Sequence, residues 1–328
     1  MEKNLLSIIG NTPLVQLSKL FTNDRGIKVF AKLELLNPGG SAKDRSAARI
    51  INGAWEEGII GPGSVIIESS SGNMAISLAA ICSYLGMGFI SVIDPKATKQ
   101  NIRIMRAYGA KIDLVEEADP ETGEFLPARL NRVQQLLART PNSFWPNQYA
   151  NKNNYLSHYD GTMREIIEEL GHVDYVVGGV STCGTMLGCA KYVRDHKLST
   201  KVVAVDAEGS VIFGGTNGNR RFPGLGTGII PPFGQTRFMD HAIKVADQDM
   251  VAGCRLLVKH ESLLVGPSSG AVIHALKSIL HELPDDSVCA VILHDRGERY
   301  MDTVFCDEWV EQQFGGYRYN SDGADAKS

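Results

Sequence analysis

Asn37-Pro38-Gly39-Gly40-Ser41-Ala42-Lys43-Asp44-Arg45 places one lysine at the mouth of a helix, behind a turn that glycine makes easily. Pro38 holds Asn37 extended, and Gly39 and Gly40 accept positive φ. Ser41 is expected to cap the run Asp44 to Trp55, in which Ala47, Ala48, Ile50, Ile51 and Ala54 form an apolar stripe. A lysine in a first helical turn meets the positive end of the helix dipole, which disfavours its protonated form. Two readings fit Lys43 on this stretch. One is a solvated lysine after a turn; the other is a nucleophilic amine, which must be neutral to form a Schiff base with an aldehyde cofactor.

Outward from this turn, short β-rich runs alternate with amphipathic runs of helical length, the pattern of α/β layers around a mostly parallel sheet. Val29 to Glu34 reads as the strand entering the lysine turn, and Ser64 to Glu68 as a second strand, stopping at Ser69-Ser70-Ser71-Gly72-Asn73 before a helix from Met74 to Leu85. Strand Gly88 to Ile93, helix Thr98 to Tyr108, strand Lys111 to Val115 and helix Leu126 to Ala138 complete one small lobe. From Asp160 the alternation restarts with helix Gly161 to Leu170, strand Tyr175 to Gly178, a turn over Gly179 to Gly184, a helix to Asp195 and strand Lys201 to Asp206. Helix Asp247 to Glu261, the turn Gly266-Pro267-Ser268-Ser269-Gly270, helix Ala271 to Leu283 and strand Val288 to Leu293 follow. Phe213 to Gly234, rich in Gly, Pro and Arg, reads as a long functional loop. The polar end from Gly315 to Ser328 is expected to fray. No internal repeat is present.

With 328 residues, 43% of them apolar and 21% charged, the chain can bury a large core and is expected to divide into two lobes. The net charge of -4, without a Lys/Arg block, argues against nucleic acid as the main partner. No apolar run reaches membrane-spanning length and the first residues lack a signal peptide's apolar region, so a cytoplasmic protein is expected. Cys82, Cys183, Cys189, Cys254, Cys289 and Cys306 show no metal-ligand spacing and read as reduced, buried small hydrophobes.

Three further turns stand where strands meet helices, the junctions at which open α/β sheets bind ligands. Ser181-Thr182-Cys183-Gly184-Thr185 offers consecutive amides and three hydroxyls at a helix start, which suits either a phosphate or a plain capped helix; it matches neither a P-loop nor Gly-x-Gly-x-x-Gly. Ser70-Ser71-Gly72-Asn73 suits a carboxylate, or again a cap. Ser268 precedes a helix, where its hydroxyl can cap it or bond a ligand nitrogen.

Taken together with Gly224-Leu225-Gly226-Thr227-Gly228 and Asp295-Arg296-Gly297-Glu298-Arg299-Tyr300, these turns resemble the cysteine synthase and cystathionine β-synthase family. Those proteins are pyridoxal 5′-phosphate enzymes of fold type II, the tryptophan synthase β class. The resemblance runs from Gly10-Asn11-Thr12-Pro13 to Trp309. It implies two three-layer αβα lobes with the cofactor between them: 1–40 with 148–312 forming the large lobe, 41–147 the small mobile one, and 313–328 a flexible tail. It also implies a homodimer. By the same resemblance Lys43 is the Schiff-base lysine and general base, Asn73 bonds the cofactor's 3′ oxygen, and Ser181, Thr182, Cys183, Gly184 and Thr185 hold its phosphate. Ser268 faces the pyridine nitrogen, while Ser70, Ser71, Gly72 and Gln148 hold the substrate carboxylate.

Two departures from the sulfide-using members stand out. Met74-Ala75 follow Asn73 where those members continue Thr-Gly, and Ser181 and Cys183 occupy glycine positions of their phosphate loop. The runs Trp145 to Asn151, Val205 to Gly214 and Asp295 to Tyr300 look instead like the branch that joins O-phosphoserine to L-glutamate in diaminopropionate and siderophore pathways. A phosphoserine enzyme must accept a second phosphate, which calls for a fixed guanidinium. In the helix Leu126 to Ala138 the apolar positions Leu126, Leu130, Val133 and Leu137 define a stripe that includes Arg129, whereas Arg132 points about 100° away. Arg129 therefore either meets a ligand or snorkels to Glu116 or Glu117, and Tyr149 beside Gln148 can donate a second bond. Three functional readings remain at this level: glutamate addition to O-phosphoserine; a cysteine synthase or cystathionine β-synthase; and a non-catalytic binding protein on the same scaffold.

Overall fold

The structure, a computed structural model, describes residues 4–234 and 236–315. In chain order its strands and α-helices are β1 (Leu14–Gln16), β2 (Lys28–Leu33), α1 (Lys43–Glu56), β3 (Val65–Ser69), α2 (Asn73–Tyr84), β4 (Gly88–Ile93), α3 (Lys99–Ala107), β5 (Lys111–Leu114), α4 (Phe125–Arg139) and β6 (Ser143–Phe144). Then follow α5 (Asn153–Ser157), α6 (Arg164–Leu170), β7 (Tyr175–Gly179), α7 (Gly184–Asp195), β8 (Lys201–Ala207), β9 (His241–Val245), α8 (Asp247–Glu261), α9 (Pro267–Ile279), β10 (Val288–Leu293) and α10 (Asp307–Phe314).

Two sheets organise these elements. The larger runs β1-β2-β10-β7-β8-β9, parallel except for β1; the smaller runs β5-β4-β3-β6 and is wholly parallel. Strands covered by helices on both faces read as unbroken apolar runs, and β10 is the clearest case, with Cys289 to Leu293 all buried. The β2 partners in its register, Val288↔Lys28 to Leu293↔Leu33, bring the chain just after β10 against the turn that carries Lys43. Strands of the smaller sheet all come from between residues 65 and 144, and α1 packs against α2 through Ala47, Ile50, Ile51 and Ala54. Among the described residues no helix is long and apolar enough to cross a membrane.

β4, α8 and β10 match the bounds read from the sequence, and most other elements match to within a residue or two. The differences have physical causes. Ser41 is not the N-cap of α1: Ala42 is, and the Ser41 hydroxyl only accepts the Lys43 N–H at 3.3 Å. α9 begins at Pro267 instead of Ala271, because Pro267 sits at a first-turn position whose N–H has no helical partner to lose. The helix expected from Gly161 begins at Asn153 and passes through a π-helical turn, His158–Met163, into α6. Its polar opening, Asn153-Asn154-Tyr155, hid it from periodicity. β1, β6, β9 and α10 are short elements decided by their neighbours and were not foreseen. α10 runs to Phe314, past the expected start of the tail, and the rest of that tail from residue 316 lies outside the described residues. Residues 208–234 carry no helix or strand, as expected of a long loop.

A buried ion network fixes the start of α1. Arg45 donates to both carboxylate oxygens of Glu34, at 2.8 and 2.9 Å, and to both of Glu165, at 2.6 and 2.7 Å. Lys32 pairs with Glu165 at 2.7 Å and donates to the Thr12 carbonyl at 2.6 Å. Two cations therefore face two anions with their remaining lone pairs occupied, the condition under which buried charge is tolerated.

Candidate active site

The strand-to-helix turns open into one cleft lined from both sheet systems. The cofactor- and substrate-binding residues expected from the sequence all lie on its wall: Lys43, Ser70, Ser71, Gly72, Asn73, Arg129, Gln148, Tyr149, Ser181, Thr182, Cys183, Gly184, Thr185 and Ser268. Met74, Asn101, His294 and Tyr300 join them, with Pro223 and Gly224 from the long loop.

Lys43 is the first residue of α1 and is partly accessible from the cleft. Its pKa falls below the ordinary lysine value because protein surrounds the ammonium; Asp295 and then Glu34 oppose that fall. Burial is thus the leading cause, and the direction is the one a nucleophilic amine requires. His294, beside it, is held neutral: burial first and Lys43 second push its pKa down to about 3, and its Nε2 accepts the Gly179 N–H at 2.9 Å.

The phosphate-seat candidate begins α7. Cys183 is its N-cap in the left-handed region, φ 65°, a conformation that glycine adopts without strain. At Gly184 a Cβ would lie 2.2 Å from Asn154 Oδ1, so only glycine fits there. The N-cap residue Cys183 makes no side-chain cap bond, and the Gly184 N–H meets only the Thr182 hydroxyl at 3.5 Å, which leaves the positive helix end open to an anion. The hydroxyls of the loop are set from behind: Asn154 Nδ2 donates to Thr182 Oγ1 at 3.3 Å, and Thr185 Oγ1 lies 3.2 Å from Nε2 of His158, which burial keeps neutral.

On the opposite wall the Ser70 hydroxyl accepts the Ala75 N–H at 3.2 Å, so it serves the helix start as well as facing the cleft. Met74 is buried among apolar side chains where the resemblance would have a hydroxyl. Behind this wall Glu68, wholly buried at the end of β3, accepts from three donors: Ser69 N–H at 2.8 Å, Trp145 Nε1–H at 3.1 Å and Gln148 N–H at 3.1 Å. Those bonds hold Gln148 against the serine turn, and Gln148 Nε2 adds one to the Ser69 carbonyl at 3.3 Å. Burial nevertheless pushes the Glu68 pKa up to about 7. A carboxyl raised in the folded state contributes stability that is fully present below its unfolded pKa and is lost as pH rises through the folded one. Wild type should therefore lose on the order of 2 to 3 kcal/mol of unfolding free energy between pH 5 and pH 8 relative to Glu68→Gln, measured by denaturant titration of both proteins. Parallel pH profiles would refute that.

Arg129 reaches the cleft from α4 with its side chain 13% exposed, and its partner is Asp94 at 3.3 Å, not Glu116 or Glu117. Arg132, on the other face, pairs with Asp113 at 2.8 Å. Tyr149 lines the cleft with its phenol protonated, its pKa pushed up to about 12 by burial. Sequence reasoning missed Glu68, Asn101, His158, His294 and the partnership of Asp94. Nothing in the local pattern separates these from ordinary strand-end and loop polar residues, although Tyr300 lay inside a run that had been singled out.

The donor set fits pyridoxal 5′-phosphate: a lysine with depressed pKa for its aldehyde, an uncapped helix start for its phosphate, the Ser268 hydroxyl at the start of α9 and the Asn73 amide at the start of α2. The family model of the pyridoxal-phosphate dependent enzymes matches residues 5–295. The chain belongs to that family. A curated relative from Ralstonia nicotianae, N-(2-amino-2-carboxyethyl)-L-glutamate synthase, is 46% identical over 311 residues, covering 94% of this chain and 91% of that one. Among solved structures, O-ureido-L-serine synthase superposes with a TM-score of 0.85 at 28% identity, covering 98% of both chains. The O-acetylserine dependent cystathionine beta-synthase of Helicobacter pylori gives 0.84 at 30% identity, covering 92% of this chain and 98% of that one. The protein is therefore a pyridoxal-phosphate-dependent enzyme of fold type II that catalyses β-replacement.

Proposed function

We propose that this enzyme joins O-phospho-L-serine to L-glutamate through the glutamate amine, releasing phosphate and giving N-(2-amino-2-carboxyethyl)-L-glutamate. The observation that carries the reading is Arg129, a mostly buried guanidinium on the cleft wall, in a chain nearly half identical to a synthase of that name. Bound pyridoxal phosphate supplies the electron sink that makes the α proton of an amino acid removable.

The rest falls to side chains. Lys43 anchors the aldehyde, takes the α proton of the phosphoserine and later returns a proton to the same carbon. Ser70, Ser71, Gly72 and Gln148 hold the substrate carboxylate with hydroxyls and amides. Thr182, Thr185 and the amides of Ser181 to Gly184 hold the cofactor's phosphate, and Asn73 its 3′ oxygen. Ser268, a neutral hydroxyl at the ring nitrogen, does not force a pyridinium, which favours β-elimination over transamination. Arg129 and Tyr149 receive the ester phosphate of the substrate; as the Cβ–O bond breaks, the guanidinium neutralises charge gathering on the leaving oxygen. The Cβ–N bond then forms to the glutamate amine, which gives up a proton.

Arg129→Ala is expected to weaken use of O-phosphoserine by roughly 2 to 4 kcal/mol in kcat/KM, the range for removing one partner of a buried charged pair, and to leave the cofactor bound. O-Acetylserine, with an uncharged ester, should suffer far less. Mass spectrometry of products from each donor offered with glutamate or with sulfide tests the assignment. Equal losses with both donors, or strong preference of the wild type for O-acetylserine with sulfide, would replace it by the cysteine synthase reading.

A further inference from the structure

The run Asp295 to Tyr300, prominent in the sequence but without a role in the chemistry above, together with His294 touches all four site turns. His294 carbonyl accepts the Ala42 N–H at 2.8 Å, and Arg296 N–H donates to Gly40 at 3.2 Å, tying the run to the lysine turn. Asp295 carbonyl accepts the Gly266 N–H at 3.0 Å, and His294 N–H donates to the Ser269 hydroxyl at 2.8 Å, tying it to the start of α9. The imidazole of His294 holds Gly179 ahead of the phosphate seat. The contact with the fourth turn is made by side chains. Asn73 Nδ2 donates to Asp295 Oδ2 at 2.8 Å, and Arg299 Nη1 donates to Asn73 Oδ1.

The chemistry of these partners leaves the Asn73 amide one orientation. A guanidinium can only donate, so the oxygen must face Arg299; the carboxylate oxygen accepts, so the nitrogen must face Asp295. Tyr300 donates a second bond to Asp295 Oδ2 at 2.7 Å and keeps the carboxylate in place. Asp295 is 1% exposed, and its Oδ1 lies where a Cβ on Gly266 would sit, 2.1 Å away, so glycine at that position makes the room for it. One Asn73 N–H is spent on Asp295 and the other remains.

We propose that Asp295 and Arg299 are positioning residues that lock the Asn73 amide between them, so that its second N–H is held out to the cofactor as a fixed donor. An amide left free would rotate and offer the cofactor its carbonyl oxygen as readily as its N–H, and a carbonyl repels the oxygen it should bind. The lock removes that alternative before the cofactor arrives. It rests on the reading of Asn73 as a cofactor contact and on neither amino-acid substrate.

The test uses purified protein and pyridoxal 5′-phosphate without substrate, reading the cofactor dissociation constant and the visible absorption maximum of the reconstituted enzyme. Asp295→Ala and Arg299→Met should each weaken cofactor binding roughly 10- to 100-fold, the range for losing a charged hydrogen-bond partner, and should shift the absorption maximum. Arg299→Lys, which keeps a donor, should recover most of the loss. In an Asn73→Ala background, Asp295→Ala should cost almost nothing further, because the two act as one unit. Losses that add in the double variant would overturn the lock while leaving Asn73 as a contact. An Asn73→Ala protein that binds and absorbs like wild type would overturn the reading of Asn73 and the lock with it. Should Asp295→Ala prove insoluble, Asp295→Asn, which keeps one acceptor for two donors, carries the same comparison.

Discussion

Lys43→Ala is expected to abolish turnover while the protein remains folded. On the roles proposed for Lys43, the variant loses the covalent anchor for the cofactor aldehyde and the base for the α proton together, so the fall should exceed the ~10⁴-fold upper range for removing a positioned base alone. Folding should survive, because Lys43 is the first residue of its helix and the ion network that fixes that helix runs through Arg45. Removing an ammonium whose pKa burial already depresses should not destabilise the fold. Circular dichroism and thermal unfolding would establish the fold, and product analysis the activity. Appreciable β-replacement by the variant would show that another group does the work assigned to Lys43.

Arg45→Ala should have the largest effect on stability. The guanidinium satisfies four carboxylate oxygens belonging to Glu34 and Glu165, neither of which is more than 8% exposed. Taking it away leaves Glu165 with Lys32 and leaves Glu34 with the Thr12 hydroxyl and the Asn37 amide, and breaking a buried pair in this way costs about 3 to 5 kcal/mol. Burial pushes the Glu165 pKa up, but Arg45 and then Lys32 outweigh it and hold it at about 2, so it should rise in the variant. A carboxylate depressed in the folded state stabilises above its unfolded pKa, and that stability is lost as pH falls through the folded one. That acid-dependent loss should therefore shrink in Arg45→Ala, whose stability should fall less steeply than that of wild type between about pH 5 and pH 2. Denaturant melts at pH 7 and an acid titration measure both effects; a loss under about 1 kcal/mol, the ceiling for exposed pairs, would mean that water reaches the network.

The alternation of strands and helices, the turns at their junctions and the residue types on those turns were legible in the chain, because each is a local matter. Glycine runs mark turns that need positive φ, as at Gly40 (φ 85°). Continuous apolar runs mark strands covered on both faces, as in β10. A charge on an apolar stripe marks a side chain with business inside, as with Arg129. These features, with the motif resemblance, mark Lys43, Asn73, Ser181 to Thr185, Ser268 and Arg129 as site candidates from the sequence.

What the tertiary structure decided is the environment of those groups, which depends on segments far apart in sequence. Lys43 has a low pKa because protein closes around it, a property that no window around residue 43 contains. Asp94 meets Arg129 across 35 positions of chain, and Asp295 meets Asn73 across 222. Glu68 looked like the end of a strand until β3, β6 and the turn bearing Gln148 came together around it. Residue type and local periodicity say which groups can do chemistry and on which element they ride. Burial and partner chemistry, which set each group's charge, orientation and proton, come only from the packing of elements that the chain keeps apart.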